Sequence, residues 1–294
     1  MNIKRGWVMA EITLYAWARP VQAGDYGFTP EMEGIDPRKL VDHTWVTSYD
    51  NRLHQYPSIG AVIENNVAYW YCWGVFHPKG QSATLPNGFL GQGPAGLPHA
   101  ACLCEPNADS DHEAARGTIF TYGLDGVCHQ LANQVLWATK LNGNSPQTVR
   151  LARGYWLSNA VYGTYGRLHA STWKQKKTQC QSALEAQLDS DNVDDFETHL
   201  RESLGQNLVE ETVQALLDRR ALLTASIAKL QSGKLTQDAP TAEQINEQAR
   251  EFQRYAASLL SEEEYTRVFG VSPAEILDVV NPALFGKEIP PQNS

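Results

Sequence analysis

The sequence predicts an α+β fold in which a sheet-rich half precedes an all-helical half. Before about residue 172, glycine, proline and aromatic residues are frequent, and short aromatic and β-branched runs alternate with turn signals. Beyond that point glutamate, glutamine, alanine, leucine and lysine dominate, and apolar residues recur at helical spacing. We therefore predict two domains, residues 1–171 and residues 172–294.

The sheet-rich half contains six runs with strand composition. They are Glu11–Trp17, Thr44–Tyr49, Ile59–Ile63, Val67–Phe76, Thr118–Thr121 and Thr148–Tyr155. The dipeptides Asp50-Asn51 and Asn65-Asn66 predict hairpin turns. Residues 78–115 are rich in glycine, proline, asparagine and aspartate and lack periodicity, which indicates a functional loop or lid.

The second half contains six segments with helical composition. They are Lys174–Leu188, Val193–Leu204, Val209–Leu230, Thr241–Leu260, Glu262–Phe269 and Pro273–Val280. Several boundaries carry cap signals, with C-terminal glycines at Gly205, Gly233 and Gly270, an N-cap at Thr241 and a capping box from Ser261 to Glu264. We expect the tail, residues 286–294, to be loose.

Composition narrows the class of protein. The chain has 294 residues and a net charge of −9, which argues against a nucleic-acid or anionic-membrane binder, because both need clustered Lys and Arg. We expect neutral or basic partners. The five cysteines are irregularly spaced, unlike a secreted disulfide framework, so we expect reduced thiols and a cytoplasmic protein. No segment has the apolar length of a membrane span.

One helix is predicted in the first half, and it begins with a cysteine. In the segment 122–136 a glycine-rich turn leads directly to Cys128, and apolar residues follow at helical spacing. The free backbone N–H groups and the positive dipole at a helix N-terminus favour thiolate over thiol. Free cysteine is also a common core residue, but the glycine turn favours a nucleophile.

A cysteine nucleophile needs a base, and the histidines are the candidates. Adjacent helical residues point about 100° apart, so His129 is excluded as the partner and should lie beside the site or in solvent. His43 begins a predicted strand, and the turn Tyr49–Arg52 brings the chain back. His54 on the returning limb would then lie opposite or diagonal to His43, so that one imidazole could orient the other.

These motifs together resemble the circularly permuted papain-like hydrolases and acyltransferases, which include lecithin:retinol acyltransferase and related bacterial amidases. The resemblance covers about residues 41–155, where a histidine-led strand, a Tyr-Asp-Asn-Arg turn and a second histidine precede the cysteine helix. It implies a papain-like mixed sheet with Cys128 as nucleophile, His43 as base and His54 as orienting residue. His77, after an apolar strand, is the reserve orienting group.

A second resemblance gives a different base. The segment from Gly126 through the cysteine helix to Tyr155 is similar to the cysteine helix of transglutaminase-like proteins. In that family the histidine follows the cysteine, which nominates His169. We prefer His43, because residues 172–177 begin a predicted helix where that family needs strands.

The sequence predicts neither a metal nor a cofactor. His99, Cys102 and Cys104 lie close together, but zinc sites use Cys-x-x-Cys spacing and no second pair exists. Residues 91–96 contain proline and precede no helix that could cradle a phosphate.

We therefore expect a cysteine-dependent enzyme that transfers or hydrolyses an acyl group of an amide or ester, as amidases, thiol proteases and acyltransferases do. The substrate could be a peptide or protein, and no residue decides between hydrolase and transferase. The alternative is a non-catalytic interaction protein in which the acidic helices bind a partner and Cys128 belongs to the core.

Overall fold

The computed structural model describes residues 12–21, 34–48, 63–64, 67–68, 101–102, 107–110, 120–136, 148–166, 195–232, 240–286 and 288–289. Within these ranges the chain is an α+β protein with a small antiparallel sheet and six α-helices. The strands are β1 (Ile12–Arg19), β2 (His43–Ser48), β3 (Ile63–Glu64), β4 (Val67–Ala68), β5 (Ala101–Cys102), β6 (Asn107–Ser110), β7 (Phe120–Thr121) and β8 (Glu288–Ile289).

The main sheet is built around β1, which combines β-branched and aromatic residues suited to a pleated surface. β2, β5 and β6 each pair antiparallel with it. The strands predicted near Glu11 and Thr44 are thus confirmed as β1 and β2. β5 and β6 lie in the segment predicted to be a loop, so that prediction is wrong there: pairing with β1 supplies hydrogen-bond partners that the local composition does not signal.

Two short antiparallel pairings complete the described strands. β3 and β4 pair antiparallel on either side of Asn65-Asn66, as the predicted turn requires. β7 pairs with β8, so the expectation of a loose C-terminal tail is wrong at Glu288 and Ile289. The predicted turn at Asp50-Asn51 lies outside the described residues.

The described helices are α1 (Cys128–Leu136), α2 (Tyr155–Tyr162), α3 (Phe196–Leu204), α4 (Glu210–Ser232), α5 (Ala242–Leu259) and α6 (Glu262–Phe269), with 3-10 turns at Pro37–Lys39 and Gly205–Asn207. Four of the helices predicted in the second half are confirmed as α3 to α6. Thr241 and Ser261 form complete capping boxes, and Gly205 and Gly270 end their helices at positive φ. The helix predicted from Lys174, and the cap at Gly233, lie outside the described residues.

Two predicted elements are wrong. The segment 148–155 is not a strand: it turns, and α2 begins at Tyr155 directly after Gly154, which has a φ of 77°. The segment 273–280 is not a helix, because its backbone bridges to the chain before β2: Asp278 accepts from the Val41 N–H at 3.1 Å and donates to the Lys39 carbonyl at 2.7 Å.

One hydrophobic cluster runs through the described helices. It contains Val127 and Leu131 from the α1 region, residues of α2, and the aromatic side chains Phe196, Phe252 and Phe269. Elements on both sides of residue 172 therefore share a core. The domain boundary itself lies outside the described residues and stays a prediction.

Candidate functional site

A tight glycine turn aims the chain into α1. The Gly123 N–H donates to the Gly126 carbonyl at 2.7 Å, and Gly123 has a φ of 78°. A Cβ atom on Gly123 would lie 2.6 Å from Phe285, so a larger residue would meet both strain and a clash. The Asp125 carboxylate accepts from the Thr121 N–H at 2.7 Å and closes the turn. Cys128 is consequently the first residue of α1.

A side chain of α1 itself holds the start of the helix. The Gln130 side-chain oxygen accepts from the Val127 N–H at 3.1 Å, which satisfies a donor that has no intrahelical acceptor. The Gln130 amide then donates to the Gly163 carbonyl at 3.1 Å, beyond the end of α2. Gln130 thereby fixes the position of Cys128 relative to α2.

The thiol of Cys128 faces the chain that leads into β2. Its sulfur lies 3.3 Å from the Asp42 carbonyl oxygen and donates a hydrogen bond to it. The side chain is only 2 % exposed. The nucleophile candidate is therefore buried and linked to the residue that immediately precedes His43.

His43, the predicted base, is the first residue of β2 and pairs with Arg19 of β1. Its side chain is fully buried, and β2 packs against α1. The structure thus brings together the strand that carries His43 and the helix that carries Cys128. The catalytic roles of both residues stay predictions, and His54, His77 and His169 lie outside the described residues.

His129 lies beside the site in full burial, which corrects the alternative that it faces solvent. Its Nδ1 atom is 2.7 Å from the Ser158 hydroxyl, which itself donates to the Tyr155 carbonyl at 2.8 Å. Which of the two groups donates in the His129–Ser158 contact depends on the imidazole tautomer. Burial lowers the pKa of His129 to about 3, and a hydrogen bond to the Asp42 backbone, which favours the charged ring, opposes this only in part.

Asp42 is the residue that sequence reasoning missed. Its backbone N–H donates to the Arg153 carbonyl at 3.0 Å, and its own carbonyl accepts the Cys128 thiol. Burial raises the pKa of its carboxyl to about 6, against the opposing charges of Arg153 and Arg19. The available signal was an acidic residue directly before the histidine that begins a predicted strand. The sequence alone could not show that Arg153 and Arg19 lie near that carboxyl group, because both are far from Asp42 along the chain.

Arg153 holds this segment from the outside. Its guanidinium donates to the carbonyls of Leu40 and Arg38 at 3.1 and 2.9 Å and pairs with Glu275 at 3.4 Å. The chain before His43 is therefore fixed by contacts from α1, from the turn before α2 and from the segment after α6.

Asn133 supports α1 from below the thiol. Its amide group donates to the Thr164 carbonyl at 2.7 Å and to the Tyr155 hydroxyl at 3.1 Å, and its oxygen accepts from the Val149 N–H at 2.9 Å. These three hydrogen bonds satisfy the fully buried amide group and hold the Asn133 side chain in one position. The signal for it was the helical spacing of His129, Gln130 and Asn133, which puts three polar side chains on one face of α1.

A cavity of about 560 Å³ opens next to this corner of the molecule. Asp42 lines it together with four arginines, Arg19, Arg150, Arg153 and Arg267. Trp156 and His199 form one wall, with rings stacked 3.5 Å apart at an angle of 3°. The cavity is therefore rich in guanidinium groups and has an aromatic side.

The described residues contain no group of three His, Cys, Asp or Glu side chains placed to hold a metal ion. Of the weak half-site considered from sequence, Cys102 lies in β5 opposite Trp17, whereas His99 and Cys104 are outside the described ranges. None of the helices in the described part of the chain is long and apolar enough to cross a membrane.

No protein-family model, curated protein or solved structure matches this chain. The papain-like and transglutaminase-like resemblances thus stay hypotheses that depend on the motifs alone. The function must therefore be inferred from the geometry of the chain itself.

Proposed function

We propose that the protein is a cysteine-dependent acyltransferase or hydrolase, with Cys128 as nucleophile and His43 as general base. One observation carries the proposal: a cysteine that opens a helix has its sulfur 3.3 Å from the backbone of the residue next to a buried, strand-borne histidine. The two residue types that thiol catalysis needs are thereby held in one corner.

The chemistry would proceed in two steps. The imidazole of His43 accepts the thiol proton, the sulfur attacks the carbonyl carbon of an amide or ester, and the leaving amine or alcohol takes that proton. Water or an amine then attacks the thioester and releases Cys128. Backbone N–H groups at the start of α1 are the candidate donors for the oxyanion. His54 would orient His43, as the papain-like resemblance implies.

The burial of Cys128 sets a requirement on this proposal. A side chain that is 2 % exposed and donates to the Asp42 carbonyl must lose that contact before it meets a substrate. The segment that carries Asp42 therefore has to move away from α1 during turnover. The free protein would sample that opened state transiently, so the thiol would also become accessible to a small alkylating reagent.

A second candidate function is supported by the same burial. Cys128 is part of the hydrophobic cluster, as a structural cysteine in a non-catalytic interaction protein would be. In that case the acidic helices would provide the binding surface, and the thiol would react only when the chain unfolds.

Iodoacetamide labelling of the native protein, followed by peptide mass spectrometry of each cysteine, separates these functions. Catalysis predicts that Cys128 labels faster than an unperturbed thiol and stays reactive at pH 6, and that His43→Ala lowers its rate at pH 6 at least about tenfold. His199→Ala is the matched control, since His199 stacks on Trp156 and should leave the rate unchanged.

The remaining outcomes identify the alternatives. A lower rate in His169→Ala with no change in His43→Ala would favour the transglutaminase-like arrangement. Labelling of Cys128 only in denaturant, in the wild type and in both variants, would contradict catalysis and favour the interaction protein.

A further inference from the structure

The cavity beside Asp42 lies where six parts of the chain meet. Its walls are the end of β1 at Arg19, the Asp42 segment, the turn at residues 150–153, Trp156 of α2, His199 of α3 and the end of α6 with Gly270. Its volume of about 560 Å³ is within the range of pockets that hold small organic molecules. Its position at a junction of elements is also typical of binding sites.

Charge is the cavity's most distinctive property. Among the described lining residues, four guanidinium groups face one carboxylate, that of Asp42. Burial also raises the pKa of Asp42 to about 6, so that this single negative charge is the more easily neutralised. Arg19 is only 2 % exposed, so water screens its charge less and the positive potential in the cavity is stronger.

The arginines differ in how many of their guanidinium N–H groups already take part in hydrogen bonds or ion pairs within the protein. Arg153 and Arg267 donate to backbone carbonyls and pair with Glu275 and Glu263. Arg150 is exposed and forms no ion pair or side-chain hydrogen bond in the described part of the chain. All five of its donors are consequently available to a ligand, in the fork geometry that matches carboxylate and phosphate.

The other walls are apolar. Trp156 lines the cavity, although it is only 6 % exposed and has one ring face stacked on His199, whose Nε2 atom lies 2.7 Å from the Val268 carbonyl. Leu151 lines the same cavity and is 71 % exposed. A ligand with an apolar group would cover both surfaces.

We propose that this cavity binds a small organic anion, with a carboxylate or phosphate group held by the arginines and an apolar group against Trp156 and Leu151. Such binding does not depend on thiol catalysis. It is compatible with the net charge of −9. The net charge repels large polyanions from the whole surface, whereas the electrostatic potential inside a cavity is determined mainly by the charged residues that line it.

Calorimetric titration with three probes tests the proposal: phenylacetate, phenyl phosphate and the neutral isostere phenylacetamide. We expect at least one anion to bind and phenylacetamide to bind at least about tenfold more weakly, since the neutral amide cannot accept the charge-assisted hydrogen bonds that the arginines donate to an anion. A preference for one anion identifies which head group the site takes. Binding should weaken as salt is raised from about 50 to about 300 mM.

Variants assign the binding to this cavity. Arg150→Ala should weaken the bound anion about tenfold and Arg150→Glu should abolish binding, whereas Arg150→Lys should retain part of it. Arg254→Ala is the matched control: it removes an exposed arginine on α5 that pairs with Glu247 and does not line the cavity. Because Arg150 is exposed, its variants should keep the wild-type circular dichroism spectrum and melting temperature.

Three results would overturn the proposal. They are the absence of binding by either anion in the millimolar range, binding of the amide as tight as that of the anions, and equal weakening by Arg150→Ala and Arg254→Ala. The last result would indicate general attraction to surface cations. None of these measurements involves reactivity of Cys128, so failure here leaves the catalytic proposal to be judged by thiol labelling.

Discussion

The polar groups around Cys128 and the charged groups on α5 and α6 are used in different ways. Around Cys128, the side chains of His129 and Asn133 are buried and hydrogen-bonded to residues far away in sequence, and Asp42 forms its long-range bonds through its backbone. Along α5 and α6 several charged groups lie at the surface and pair within their own helix, as Arg267 does with Glu263, and Arg250 and Glu251 also pair with Asp278 and Arg219. Buried groups carry large desolvation costs, whereas exposed ion pairs contribute little.

This difference predicts where the sensitivity of the molecule lies. The helical region should depend on apolar packing and on its caps, and it should respond weakly to pH. The corner around Cys128 should respond strongly to pH, because its titratable groups differ most between the folded and unfolded states. Four substitutions test that division.

The largest expected effect is in the helical core. Phe252 is 1 % exposed and its ring lies 6.3 Å from Phe196 and 6.1 Å from Phe269. Phe252→Ala should lower the free energy of unfolding by about 4 kcal/mol at any pH between about 5 and 8, because it leaves a cavity. Urea denaturation measures this, with the exposed Leu222→Ala as control. A loss below about 1 kcal/mol would show that this cluster is not the core of the region.

The next effect is on pH dependence. The pKa of folded His129, about 3, lies below its usual value of 6.5, so its stabilising contribution is present above pH 6.5 and is lost as the pH falls. Between pH 6.5 and 4 the wild type should lose about 3 kcal/mol relative to His129→Gln. The half-buried His199, changed to Gln, should give a smaller difference in the same denaturation series. Parallel curves for wild type and His129→Gln would contradict the burial of a neutral imidazole.

Asp42 should act with the opposite sign. Its folded pKa of about 6 is raised above the ordinary 3.8, so its stabilising contribution is present below pH 3.8 and is lost as the pH rises through 6. Relative to Asp42→Asn, the wild type should lose about 2–3 kcal/mol between pH 4 and 7. Denaturation at those two pH values decides the matter, and a gain in place of that loss would mean that the arginines outweigh burial.

The smallest effect concerns a cap. Ser261 accepts from the Glu264 N–H at 3.3 Å at the start of α6. Ser261→Ala should lower the free energy of unfolding by about 1 kcal/mol, whereas Ser258→Ala, which removes a hydroxyl bonded only to the Tyr255 carbonyl, should change it by less. A loss of several kcal/mol in Ser261→Ala would contradict the expectation that local polar contacts contribute less to stability than the buried long-range ones.

The same contrast explains what could be predicted from sequence. The boundaries at Thr241, Ser261 and Gly270 were predictable because capping depends on residues within one turn. α2 was missed although Leu157, Ala160 and Val161 have helical spacing, because the preceding β-branched and aromatic residues indicated a strand.

The candidate site was predictable only in part. A glycine turn before Cys128 was sufficient to predict that the cysteine begins a helix, since that is a local property. The contact of Cys128 with Asp42 spans 86 positions along the chain and has no local signature. The grouping of arginines around the cavity is likewise a product of tertiary structure, so net charge gave no indication of it.

Asp42 takes part in both the thiol corner and the cavity. Its carbonyl accepts the Cys128 thiol, and its residue also lines the pocket. A cavity ligand that displaces Asp42 would therefore change the reactivity of Cys128, and the two events would share one coupling free energy. By thermodynamic linkage, blocking the sulfur would then alter the ligand's dissociation constant by the same factor as the ligand alters the equilibrium at the sulfur.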